Sequence, residues 1–128
     1  MIYVQTLLKI IDNTGGFTAL CVKILSGRKR GYPGDEIVLA VKSILLNRKI
    51  VYKVRRKVLK GTVRRAVILR TCYMLKRWGN IRIKCFTSGA ALIGRWEMPL
   101  GTRVHGPVLF ESRVSKFIRI SMLSEGSL

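Results

Sequence analysis

Enzymatic chemistry needs acids, bases, nucleophiles or metal ligands that can converge, and this chain holds few of them. Its 128 residues include one histidine and six carboxylates. His105 lies between Val104 and Gly106, in a loop setting where an ordinary surface role or stacking on a base are both open. Asp12 begins Asp12-Asn13-Thr14-Gly15, a pattern in which the side chain bonds the backbone of its own tight turn. Asp35 and Glu36 are adjacent after a turn, so a strand there sends them to opposite faces. Gly31-Tyr32-Pro33-Gly34 lacks the spacing and the following Lys of a phosphate loop. Cys21, Cys72 and Cys85 are odd in number and widely separated, without the spacing of a zinc knuckle. They are read as buried, reduced thiols of a reducing compartment. These residues imply no catalytic constellation, no cofactor and no metal.

Phosphate-binding chemistry is abundant instead. Lys and Arg number 25 against 6 Asp and Glu, a formal charge of +19. Such a surplus destabilises a small fold by self-repulsion unless a polyanion supplies the missing charge. From Ile37 to Trp96 there is no acidic residue, so no internal carboxylate is expected to pair those cations. The candidates for phosphate contact are Arg28, Lys29, Arg30, Arg48, Lys49, Arg55, Arg56, Lys57, Arg64, Arg65, Lys76, Arg77 and Arg103. Trp78 and Trp96 lie among these cations and are the candidates for stacking on unpaired bases. Tyr52 and Tyr73 are similarly placed, open to either stacking or packing on a sheet.

An anionic membrane is the other polyanion to weigh. It calls for a basic amphipathic helix or a lipidation signal, and neither is present. No apolar run has the length of a membrane span. The first residues, Met1-Ile2-Tyr3-Val4-Gln5, enter a strand pattern at once and resemble no signal or transit segment. The expectation is a protein made where it works, or one whose leader has been removed. RNA is the better partner.

Cations can be aimed only by the elements that carry them, and the periodicity here is that of strands. Leu20, Val22 and Ile24 alternate with Cys21, Lys23 and Leu25; Ile37, Leu39 and Val41 alternate likewise. Turn signals at Asn13-Thr14-Gly15-Gly16, Gly31-Tyr32-Pro33-Gly34, Gly79-Asn80 and Gly101 punctuate the pattern. Strands are predicted over residues 2–11, 17–26, 36–43, 63–71, 81–86 and 90–93. Residues 72–77 and 81–86 form a projecting hairpin turned at Trp78-Gly79-Asn80. Short antiparallel strands at this spacing suggest a small closed barrel. Residues 45–59 read as a basic two-stranded ribbon with Ile50, Val51, Tyr52, Val54 and Val58 on its apolar side, or as a loop ordered by RNA. Near the C-terminus Val114, Phe117, Ile118 and Met122 recur at helical spacing, predicting one or two short helices that close the barrel's end. One domain is expected over residues 1–128, with barrel and hairpin in 1–93 and a C-terminal loop and short helices in 94–128.

Three segments together are more specific than any of these patterns. They are Gln5-Thr6-Leu7 running to Asp12-Asn13-Thr14-Gly15-Gly16, then Lys60-Gly61-Thr62-Val63-Arg64-Arg65-Ala66-Val67-Ile68-Leu69-Arg70-Thr71, then Pro99-Leu100-Gly101-Thr102-Arg103-Val104-His105-Gly106-Pro107-Val108. In order and spacing the chain resembles the universal large-subunit ribosomal protein fourteen family over nearly its whole length. The resemblance implies a mainly β fold, a small five- to six-stranded antiparallel β-barrel with a projecting hairpin and short C-terminal helices. It also implies a structural, non-enzymatic part of the large ribosomal subunit that binds large-subunit ribosomal RNA. Implied neighbours are ribosomal proteins three and nineteen, small-subunit RNA across an intersubunit bridge, and a ribosome-silencing factor.

The chain departs from the family where a hairpin Asp-Gly is replaced by Trp78-Gly79-Asn80, and where Phe86 is followed by Thr87 rather than Asp. Both changes remove acid. With the longer, more basic stretch at 45–57 and the Ile/Leu/Lys/Arg-rich usage, they point to a mitochondrial member encoded in the organelle. A plastid or the bacterial cytoplasm is the alternative. Two rival readings are a free RNA chaperone that stacks bases on its aromatics, and a nuclease built on Asp35 or Glu36.

Overall fold

An unpaired strand edge exposes a row of backbone donors and acceptors, and a closed barrel removes it. The computed structural model describes residues 1–45, 58–114 and 116–128 and shows such a closure. The barrel order is β1 (Leu7–Ile10), β2 (Gly16–Ile24), β3 (Glu36–Ile44), β4 (Val63–Arg70) and β7 (Gly89–Ile93). Between β4 and β7, β5 (Leu75–Lys76) and β6 (Arg82–Ile83) form the expected hairpin, turned at Trp78–Asn80. Two short helices follow, α1 (Glu111–Val114) and α2 (Ile118–Met122).

Four barrel pairs are antiparallel, and the closing pair of β1 with β7 is parallel. An odd number of strands requires this. Directions that alternate around a ring of five must repeat at one seam. The first strand is also shorter than its apolar pattern, because Gln5 takes a positive φ of 69° and separates Ile2 from β1.

Two apolar layers share β4 and β7. Ala66, Ile68, Ala90 and Leu92 face the barrel interior with Leu8, Ile10, Ala19, Cys21, Ile37, Leu39 and Val41. Val67, Leu69, Ala91 and Ile93 face outward, against Ile11, Val104, Val108, Phe117 and Ile120. That is why burial is unbroken over residues 66–69 of β4 and along β7, while it alternates along much of β2 and β3. The C-terminal segment thus covers a barrel wall.

Helical spacing identified Phe117 but not its partners. Phe117 and Ile120 are buried, whereas Ile118 and Met122 are exposed. Lys116 and Phe117 form a turn ahead of α2, so one continuous helical face does not run through both helices. The Val114 side chain lies outside the described residues, as does the segment from 46 to 57 in which the ribbon or loop was expected.

Candidate nucleic-acid interface

Arg28, Lys29 and Arg30 all lie exposed in the turn joining β2 to β3. Reciprocal backbone bonds between Ile2 and Gly31, 2.9 and 2.7 Å, tie that turn to the N-terminal segment. Arg30 places its guanidinium 5.8 Å from the Tyr3 ring centre, a cation–π contact, and one of its Nη groups donates to the Met1 sulfur at 3.6 Å. Lys23, Lys42, Lys60 and Arg64 are exposed on β2, β3, the turn before β4, and β4. Lys76 and Arg82 face each other across the hairpin, with Lys84 exposed beyond it.

The expectation that no carboxylate pairs the central cations is corrected here. Glu36 on β3 pairs Arg65 on the neighbouring strand, and Glu111 at the start of α1 takes Arg77 in a two-pronged bond of 2.7 and 2.8 Å. Arg103 stands 3.8 Å from Glu125, and Lys116 bridges Glu36 and Glu97. Folding brought in carboxylates from outside the acid-free stretch. The mutual bond holds the Glu111 carboxyl below the usual range and raises Arg77.

Three of the chosen cations, Arg65, Arg77 and Arg103, are therefore engaged within the fold. Arg28, Lys29, Arg30, Arg64 and Lys76 form no ion pair among the described residues. Lys9, Lys23, Lys42, Arg82 and Lys84 share that state and were not singled out in the sequence; Lys60, which lies in one of the signature segments, shares it too. For Lys9, Lys23 and Lys42 the signal was an outward position in a strand, which a charge run does not reveal. Arg48, Lys49, Arg55, Arg56 and Lys57 lie outside the described residues.

Both tryptophans are presented to solvent. Trp78 is 99% exposed at the hairpin tip, and Trp96 is 91% exposed in a turn after β7. Trp96 and Glu97 take φ of 59° and 57°, a left-handed conformation rare for bulky residues. Gly94 N–H bonded to Met98 C=O at 2.8 Å closes that turn, and Lys116 grips Glu97. Phe86, which the sequence reading passed over as a candidate, is fully exposed as well.

The thiol reading is corrected in part. Cys21 is buried, but Cys72 is exposed and Cys85 only half-buried; all three are free. Burial pushes the Cys21 and Cys85 thiols up, away from the reactive thiolate. Among the described residues no three metal-ligating side chains gather, and no helix is long and apolar enough to cross a membrane.

All three signature segments meet in space. Asp12 is buried, with one oxygen accepting from the Thr14 N–H (3.0 Å) and hydroxyl, the other from the Leu92 N–H at 2.7 Å. Asn13 Oδ1 accepts from the N–H groups of Thr102 and Arg103 at 2.8 and 3.2 Å, while its amide donates to the Thr102 hydroxyl. A Cβ at Gly101 would sit 2.7 Å from Asn13 Oδ1, so this docking needs glycine. His105 N–H donates to Ile11 C=O, and its own carbonyl accepts from Arg70 at 2.7 Å. His105 is thus held by its backbone, in the loop where the sequence put it.

A family model described as Ribosomal protein L14p/L23e matches residues 1–128. The chain belongs to the Ribosomal protein L14p/L23e family. The Large ribosomal subunit protein uL14m of Acanthamoeba castellanii is 39% identical over 131 residues, covering 100% of both chains. Its counterpart in Acanthamoeba polyphaga is 38% identical over 117 residues, covering 90% of this chain and 99% of the relative. Members of the L14p/L23e family are structural, non-enzymatic parts of the ribosome. The nuclease alternative falls with that assignment. Both relatives are mitochondrial forms, in agreement with the expected compartment.

Proposed function

We propose that this protein binds large-subunit ribosomal RNA in the mitochondrial ribosome and contributes to the intersubunit interface. Its structural place in the ribosome follows from the family; the RNA contacts are our reading of the surface. The observation that carries it is the uneven distribution of paired charge. Among the described residues every ion pair engages the wall covered by the C-terminal segment or the hairpin anchored on it. The turn at Arg28-Lys29-Arg30, Lys60 and Arg64, with Lys23 and Lys42, shows cations without carboxylate partners among the described residues. Closely packed RNA helices repel one another, and cations held on a rigid barrel lower that repulsion.

In this reading Arg28, Lys29, Arg30, Arg64 and Lys76 contact phosphate, with Arg48, Lys49, Arg55, Arg56 and Lys57 extending the surface. Trp78 and Trp96 stack on unpaired bases. Ribosomal proteins three and nineteen are the neighbours, small-subunit RNA lies across a bridge, and a silencing factor docks on the interface side. Barrel and C-terminal segment act as one domain, because the outer apolar layer belongs to both.

Binding of renatured large-subunit ribosomal RNA to the full chain, measured against salt, tests the proposal. Arg64→Ala should flatten the log–log salt slope by about 1, the value for one lost phosphate contact. Arg65→Ala should flatten it less, since Glu36 already holds that cation. Equal slopes for both variants and the parent, or a protein that sediments apart from large subunits, would sink it.

A further inference from the structure

The hairpin is poorly secured by its own strands. Only two residue pairs join β5 to β6, Leu75 with Ile83 and Lys76 with Arg82. Backbone bonds from Arg77 N–H to Ile81 C=O (2.9 Å) and from Cys85 N–H to Thr71 C=O (3.3 Å) close its two ends. Neither strand belongs to the barrel sheet, so ladder hydrogen bonds do not set the angle at which the hairpin projects.

The Arg77 side chain reaches across instead. Arg77, the residue before the tip, sends Nε to Glu111 Oε1 at 2.7 Å and Nη2 to Glu111 Oε2 at 2.8 Å. The same Nη2 donates to the Leu128 carbonyl at 2.8 Å. Those acceptors are themselves fixed. Glu111 opens α1, while Leu128 N–H bonds Val108 C=O and Leu128 C=O accepts from Phe110 N–H, both at 2.8 Å. Val108 is fully buried in the outer layer. The Arg77 and Glu111 side chains retain only 26% and 33% exposure, so water competes weakly for this fork.

We propose that Arg77 is a positioning residue that latches the hairpin to the C-terminal segment through Glu111 and Leu128, setting where Trp78 and Lys76 stand. By sequence alone Arg77 falls among the candidate phosphate ligands. Its geometry is that of a guanidinium whose Nε and Nη2 already face fixed oxygens. A phosphate could take it only by breaking a two-pronged bond and releasing the tip. The consequence for RNA rests on the function proposed above, but the latch itself does not.

The two roles predict opposite effects at Glu111. A phosphate ligand freed from its carboxylate should bind RNA more tightly, whereas a latch without its catch leaves the tip loose. Lysine separates them again, because it keeps the charge and loses the fork. The experiment uses the full chain carrying Trp96→Phe, so that Trp78 is the sole tryptophan. Time-resolved anisotropy of Trp78 is measured in that background, and binding of renatured large-subunit ribosomal RNA in the chain that keeps Trp96, each for the parent, Arg77→Lys and Glu111→Gln.

The expected result is faster depolarisation of Trp78 in both variants, with RNA affinity about two- to tenfold weaker in both, as when ordering a side chain is deferred to binding. Far-ultraviolet circular dichroism should match the parent, since the latch lies outside the barrel. The proposal is overturned if Trp78 depolarises in both variants as it does in the parent, or if Glu111→Gln binds RNA as tightly as the parent or more so. If the parent binds no RNA, the functional reading fails while the anisotropy still decides the latch.

Discussion

At Asp12 burial and hydrogen bonding oppose each other. Burial raises its carboxyl above the ordinary value of 3.8, and bonds from Thr14 and Leu92 pull it back only in part. Between the unfolded and folded values the native state keeps a proton that the unfolded chain has released. The contribution of this group therefore falls as pH rises from about 3.8 through the folded value. Each of its oxygens meets a donor. Asp12→Asn turns one oxygen into an NH2 that faces a backbone N–H, and should cost about 1–3 kcal/mol in the urea-unfolding free energy. An unchanged midpoint would refute that account. Trp96 gives a contrasting expectation. Glycine relieves its left-handed backbone, so Trp96→Gly should leave the thermal midpoint unchanged or raised. RNA binding should nevertheless weaken by about 1–3 kcal/mol if the ring stacks on a base. A loss of stability without a loss of binding would contradict both halves.

Among the elements, β4 and β7 carry the most structural weight because both their faces are buried. Phe117 closes the outer layer, and Phe117→Ala should destabilise by about 3–5 kcal/mol. Its neighbour Ile118, apolar and in the same helical pattern, is exposed; Ile118→Ala should stay within about 0.5 kcal/mol. Chemical denaturation of the two variants side by side checks this. The hairpin responds to pH through Glu111, whose folded value lies below its ordinary 4.5. A depressed acid contributes stability that is complete above the unfolded value and lost as pH falls through the folded one. Trp78 anisotropy in the Trp96→Phe chain should thus drop as pH falls below about 4.5, and Glu111→Gln should abolish that step. A step that survives the substitution would assign it to another group.

For the whole molecule, a formal +19 sets stability and binding against one another. Without RNA, raising salt from about 0.1 M to about 1 M shortens the screening length from about 10 to about 3 Å and should raise the thermal midpoint. The same change should weaken RNA binding, because counterions released into more concentrated salt gain less entropy. A midpoint that falls with salt would mean that the internal ion pairs outweigh the self-repulsion. The barrel and C-terminal segment share an apolar layer, so they should melt together in one transition.

Much of this organisation was legible in the order of residues. Alternation marks β2 and β3, turn residues mark the hairpin, and a one-sided charge excess marks a polyanion partner. Those signals are local, and local chemistry decides them: a side chain's face follows from strand period, and charge sums regardless of fold. The signature Asp12-Asn13-Thr14 and Gly101-Thr102-Arg103 segments were recognisable, though not that one receives the other through Asn13. Tertiary structure alone decided which cations are free. Glu36 reaches Arg65 across 29 positions of chain and Glu111 reaches Arg77 across 34, distances over which sequence proximity carries no information. Closure of five strands also imposed a parallel seam that no single strand encodes. The chemistry available to this protein was written in its composition. Folding determined which of its charges remain for a partner, because ion pairing depends on ångströms of separation and not on residues of sequence.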